Sequence, residues 1–169
     1  MKEAIIYDSL SGNTEELATA IKKEKPEIYF EKINNETKNK IKDVKILYIG
    51  TPIIKGMCTD KIKELLESLE NKKIFLFVTA GYGGSEEYFD NLKRRIESVI
   101  PKSNQIIGSF FCQGKMPESV KKRYVELIKE HPDDKNLQVS LENFEQAKTH
   151  PDATDKEKLI EEIKKISLT

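Results

Sequence analysis

No apolar run in this chain approaches the roughly 18 residues of a membrane span. Met1-Lys2-Glu3 lead directly into a strand-like segment, with no signal-peptide pattern. A soluble, cytoplasmic protein with no membrane partner is therefore expected. Charge of one sign is also lacking: 29 basic side chains face 29 acidic ones. No net field draws the chain to nucleic acid. Cysteine is scarce, since Cys58 and Cys112 stand far apart, outside any CxxC or metal-ligand spacing. That excludes a disulfide framework and a zinc site, and leaves reduced thiols. At 169 residues there is room for one domain with a single core.

What the chain does have is alternation. Strand-like runs at Lys2 to Asp8, Glu27 to Ile33, Lys45 to Gly50, Lys73 to Thr79 and Gln105 to Cys112 are separated by helical patterns. The helices are read at Asn13 to Lys23, Asp60 to Leu69, and about Ser85 to Val99. Ile46-Leu47-Tyr48-Ile49 and Ile74-Phe75-Leu76-Phe77-Val78 are apolar on both faces, as central parallel strands covered by helices must be. This βαβ order predicts an open α/β sheet of five parallel strands. The polar segment Asn34 to Asp43 reads as an exposed connection. Beyond Gln113 the pattern is helical only. Pro117 suits a first helical position, Ser140 starts a second helix, and Thr154 to Glu157 reads as a capping box before a third.

The most informative segment is the turn between the first strand and the first helix, Ser9-Leu10-Ser11-Gly12-Asn13-Thr14. In an open α/β sheet, ligands bind beyond the carboxyl ends of the strands. The first N–H groups of the following helix lack partners and carry the positive end of its dipole, so the turn is an anion site. Ser9, Ser11 and Thr14 add hydroxyls, Gly12 permits close backbone approach, and Asn13 tolerates an unusual φ. A phosphate fits. With no Lys or Arg in the turn, neutral donors and the dipole are expected to hold it.

Other phosphate-binding turns fail on what is missing. Neither GxxxxGK[ST] nor GxGxxG follows any strand. The third strand ends in Gly50-Thr51-Pro52 without the acidic residue of a receiver domain. No Cys or Asp nucleophile is paired with an Arg in the turn, as a phosphatase requires.

The turn resembles the FMN phosphate loop of flavodoxins, S/T-x-S/T-G-N-T after strand one. The resemblance covers residues 2 to about 112. It implies a flavodoxin-like three-layer fold with strand order 2-1-3-4-5, the order that flavodoxins have, plus an extended helical C-terminal tail. It further implies one domain over 1–169, with an FMN-binding core at 1–116 and a helical tail at 117–169 packed on it. The implied cofactor residues are Ser9, Leu10, Ser11, Gly12, Asn13 and Thr14 for the phosphate. Thr51, Pro52, Ile53, Ile54, Lys55, Gly56 and Met57 form a first isoalloxazine loop, and Ala80, Gly81, Tyr82, Gly83 and Gly84 a second. Flavodoxins often place a Trp in the first loop, and this chain has none. Ile53, Ile54 or Met57 would pack there, with Tyr82 stacking in the second loop and Tyr88 as its alternative. In the family, a peptide in the first loop flips toward the flavin N5–H. Gly56 is the residue that could do so here.

Cys112 beside Lys115 reads as a buried strand cysteine, with Lys115 or Gln113 near the flavin or a partner. Cys58 follows the first loop and could help line it. His131 and His150 each precede a proline at a helix end, with no catalytic dyad between them. No catalytic residue and no metal ligand is expected. The resemblance implies a monomeric electron carrier that takes electrons from a flavin or NAD(P)H reductase and passes them to a partner redox enzyme, either freely or as a dedicated reductase subunit. The neutral charge departs from the acidic flavodoxins and their electrostatic docking. The alternatives are an FMN-dependent NAD(P)H or quinone reductase, a protoporphyrinogen oxidase, or a cofactor-free interaction module.

Overall fold

The computed structural model describes residues 1–83 and 85–167. Its sheet runs β2 (Tyr29–Lys32), β1 (Glu3–Tyr7), β3 (Ile46–Ile54), β5 (Lys73–Ala80), β6 (Gln105–Gln113), with every neighbouring pair parallel. Setting aside the short β4 (Met57–Cys58), this is the expected order 2-1-3-4-5. The sequence reading ends the third strand at Gly50. Instead β3 continues through Ile54 and folds back, pairing antiparallel with β4 through Ile53 with Cys58 and Ile54 with Met57. Lys55 and Gly56 form the turn with φ of 51° and 76°, the positive pair that a tight hairpin demands.

The period of two sorts each central strand onto two faces. Leu47, Ile49, Ile74, Leu76 and Val78 meet α3 (Asp60–Glu67) and α4 (Glu86–Glu97) through Ile62, Leu66 and Ile96. On the other face Tyr48, Phe75 and Phe77 meet α1 (Asn13–Glu24) through Leu17 and Ile21. The last helix, α7 (Ala153–Ser167), completes that second layer with Leu159 and Ile163. Gly50 is required by this packing, because a Cβ there would stand 2.2 Å from the Phe77 ring.

Four segments depart from the sequence reading. The connection at 34–43 contains α2 (Thr37–Lys40), buries Thr37 and Ile41, and is drawn in by Glu31, which accepts from Asn34, Thr37 and Lys40. Helix α5 (Glu118–Glu130) starts one residue after Pro117. Helix α6 (Lys135–Ala147) starts five residues before Ser140, because Asp134 caps it by accepting from the Asn136 N–H at 2.9 Å. The capping box of α7 lies two residues earlier than read: Asp152 Oδ1 accepts from the Asp155 N–H at 2.8 Å, and Asp155 Oδ2 from the Asp152 N–H at 2.9 Å. Aspartate caps as well as threonine, so composition alone did not fix the start. Among the described residues no helix is long and apolar enough to cross a membrane.

Candidate functional site

The turns after β1, β3 and β5 meet at the carboxyl edge of the sheet. In the first, Asp8 Oδ1 accepts from the Ser9 N–H at 2.9 Å, and Ser9 Oγ accepts from the Gly12 N–H at 3.1 Å. Ser9 is buried, and its oxygen holds the turn closed. Gly12 has φ of 95° and open space where a Cβ would lie, so the backbone there faces a void. Thr14 is buried and shares a 3.0 Å hydrogen bond with Thr79 of β5, tying the first turn to the strand that leads into the third. Ser11 and Leu10 are exposed. Asn13 is buried, donates through Nδ2 to the Lys115 carbonyl at 2.9 Å, and has an Oδ1 without a partner. A buried acceptor left without a donor is costly, and a ligand hydroxyl relieves it.

In the second turn, Thr51 is fully buried. Its hydroxyl donates to the Pro52 carbonyl at 2.8 Å and accepts from the Thr59 N–H at 3.2 Å. Pro52, Ile53 and Met57 are half-buried, while Ile54 and Lys55 at the hairpin tip are exposed. The Gly56 carbonyl is already engaged, accepting from Arg95 Nη1 of α4 at 3.2 Å.

In the third turn, Ala80 is buried and the Gly81 carbonyl accepts from Asn143 Nδ2 at 3.0 Å. Asn143 Oδ1 accepts from the buried Gln113 amide at 3.0 Å. Tyr82 is exposed, and its hydroxyl bonds the Ser140 hydroxyl of α6. A Cβ at Gly83 would meet Gln113 at 2.2 Å, so that backbone lies directly against the end of β6. Gly84 lies outside the described residues. Tyr88 is half-buried. Burial raises its phenol, nearby Arg95 opposes the rise, and Tyr82 adds to it. Both aromatic candidates therefore lie on the flank where the second and third turns meet.

Three residues that sequence reasoning missed are Arg95, Asn143 and Ser140. Asn143 had a signal: it lies beside Phe144 on the apolar stripe of α6, where a polar side chain must find a buried partner. Arg95 had none, being one charge among many on α4. Both thiols are buried. Burial pushes Cys58 up to about 11, and burial together with the carboxylates of Asp155 and Asp152 pushes Cys112 up as well. His150, Asp152 and Asp155 bring ligand atoms within 4.8 Å of one another. Asp155 Oδ2 is occupied by His150 Nδ1 at 2.6 Å and by the Asp152 N–H, so the group serves as the cap of α7.

With this geometry in place, the relatives become informative. A family model described as Flavodoxin domain matches residues 4–165. The chain is 39% identical over 155 residues to the Flavodoxin-like domain-containing protein BilS of Clostridioides difficile (strain CD3), covering 90% of this chain and 88% of that protein. It is 33% identical over 171 residues to a protein of the same description from Clostridium symbiosum (strain WAL-14163), covering 92% and 90%. Among solved structures, oxidised Flavodoxin 2 from Bacillus cereus superposes with a TM-score of 0.51 at 20% identity, over 72% of this chain and 92% of that one.

Proposed function

We propose, from the premise that this chain belongs to the flavodoxin domain family, that it binds FMN and carries electrons between a reductase and a partner redox enzyme. The residues present fit the cofactor. The N-terminus of α1, opened by Gly12, takes the phosphate, and the unpartnered Asn13 Oδ1 accepts from a hydroxyl of the ribityl chain. The turns at 51–57 and 80–83 flank the isoalloxazine ring, with Ile53 or Met57 on one side and Tyr82 on the other. Bound FMN supplies a group that accepts and releases electrons singly or in pairs.

The observation that carries the carrier reading is the rim. Leu10, Ile54 and Tyr82 are 67%, 40% and 40% exposed, and each comes from a different one of the three turns. An apolar collar around the cofactor edge suits a transient partner whose own cofactor must approach closely, at the small interfaces typical of redox encounters. Balanced charge across the chain leaves that collar, in place of a charged field, to define the encounter.

The test is to add FMN to apo-protein, titrate the complex anaerobically with dithionite while recording visible spectra, and assay NAD(P)H oxidation with a quinone acceptor. Stoichiometric FMN binding, spectra that pass through a one-electron stage and negligible quinone turnover are expected. Direct two-electron bleaching with sustained turnover would assign an FMN-dependent NAD(P)H or quinone reductase. Absence of FMN binding would leave a cofactor-free interaction module.

A further inference from the structure

The phosphate turn contains no basic side chain, yet the fold delivers one to it. Lys115 stands in the connection between β6 and α5, and its backbone is fixed on both sides. Its N–H donates to the His150 carbonyl at 2.9 Å, and its carbonyl accepts from Asn13 Nδ2 at 2.9 Å. Asn13 is the first residue of α1, so the main chain of Lys115 is bonded to the helix N-terminus that faces the anion. Gly114 allows this approach: a Cβ there would lie 2.4 Å from Asn13 Nδ2. His150 is itself held by the α7 cap through Asp155. The position of Lys115 is thus set by α1 and α7 together.

The ammonium is held less firmly than the backbone. Lys115 Nζ lies 3.8 Å from Glu16 Oε1 with both side chains part-exposed, and Glu16 Oε2 is buried without a partner. A groove of about 630 Å³ joins Lys115 and Glu16 to Ser11 and Gly12 of the turn, with Lys156 of α7 on its wall. A phosphate seated on the helix N-terminus carries more charge than a carboxylate, and it competes for the same cation.

We infer that Lys115 is a phosphate-selecting residue of the cofactor site, exchanging Glu16 for the 5′-phosphate of FMN and so favouring the phosphorylated flavin over riboflavin. This rests on the FMN reading above. It replaces the expectation that neutral donors and the helix dipole hold the phosphate unaided. Because the ammonium is part-exposed, its contribution is modest and screened by salt.

The experiment titrates apo-protein with FMN and, separately, with riboflavin, following flavin fluorescence at low and high salt. Riboflavin retains the ring and the ribityl chain but lacks the phosphate. Lys115→Gln should weaken FMN about three- to tenfold at low salt and flatten its salt dependence while leaving riboflavin unchanged. Lys115→Arg should retain the preference, and Glu16→Gln should tighten FMN alone. Equal loss of both flavins in Lys115→Gln would assign Lys115 a purely structural role, and unchanged FMN affinity would equally overturn the inference. Wild-type protein that takes up neither flavin would overturn the FMN reading itself, and the inference with it.

Discussion

Asn143, on the added helix α6, donates its side-chain amide to the Gly81 carbonyl at 3.0 Å. The same side chain accepts from Gln113 at the end of β6. Both amides are buried, so the turn after β5 is held from outside by the α5–α6 hairpin as well as from below by the sheet.

Truncating that side chain leaves a buried amide of Gln113 and the Gly81 carbonyl without partners. Asn143→Ala should destabilise the fold by about 2 kcal/mol, the usual cost of stranding buried polar groups. It should also weaken FMN binding, because the turn that flanks the ring loses its brace. Thermal unfolding and an FMN titration on the same variant check both effects. Unchanged flavin affinity in a variant of lowered stability would separate the hairpin from the site.

Gly114→Ala probes the opposite side of the site. The new methyl would stand 2.4 Å from Asn13 Nδ2 and 2.8 Å from its Cγ. Asn13 is buried between Lys115 and the helix start, so the methyl displaces it and breaks its bond to the Lys115 carbonyl. Overpacking of this kind costs about 1–3 kcal/mol. The expected signature is a loss of FMN affinity larger than that of Lys115→Gln, accompanied by weaker riboflavin binding, since the turn itself moves. Paired titrations with the two flavins read it directly.

Much of this arrangement was legible in the sequence because it depends on local chemistry. The strand-turn-helix at 9–14 carries its own glycine and hydroxyls, and the apolar runs of β3 and β5 announce central strands. The hairpin at 53–58 was obscured by Thr51 and Pro52, which read as the end of a strand. Its turn relies on Lys55 adopting positive φ, which lysine seldom does. Lys115 was legible only as a residue near the flavin or a partner, and Asn143 only as a polar side chain on an apolar stripe; their partners were not. Each acts on residues remote in sequence, and only the placement of α7 and α6 beside the carboxyl edge brings them there. The start of α6 was missed because Asp134 lies in a run of polar residues with no apolar period to mark the boundary.

The thiols supply a prediction with a pH sign. Cys58 and Cys112 are both buried, and burial raises both thiols, Cys58 from 9.0 to about 11. At pH 8 the native protein should therefore react very slowly with a thiol-directed disulfide reagent, and both cysteines should react once denaturant is added. A raised acid holds its proton longer in the folded state than in the unfolded one. The stability that Cys58 contributes is thus complete below pH 9 and declines as pH rises from about 9 towards 11. Urea unfolding of wild type and Cys58→Ala across that range isolates the contribution: the slope shared by both belongs to other groups, and their difference to Cys58.

Gly56 and Arg95 separate backbone strain from cofactor tuning. Gly56 has φ of 76°, and a Cβ there would lie 2.6 Å from Arg95 Nη1. Gly56→Ala should cost about 1–2 kcal/mol from the left-handed backbone alone, because the flexible guanidinium can move aside. Arg95→Ala leaves that backbone untouched and removes only the exposed donor that holds the Gly56 carbonyl. Its effect on stability should stay within about 1 kcal/mol. The released carbonyl is then free to accept from a bound flavin, and one hydrogen bond of roughly 1 kcal/mol would move a one-electron potential by a few tens of millivolts. Potentiometric titration of FMN-loaded Arg95→Ala against wild type decides the matter. A shift without loss of stability makes Arg95 a restraint on the first loop, whereas an unchanged potential means that the released carbonyl makes no redox-dependent contact with the flavin.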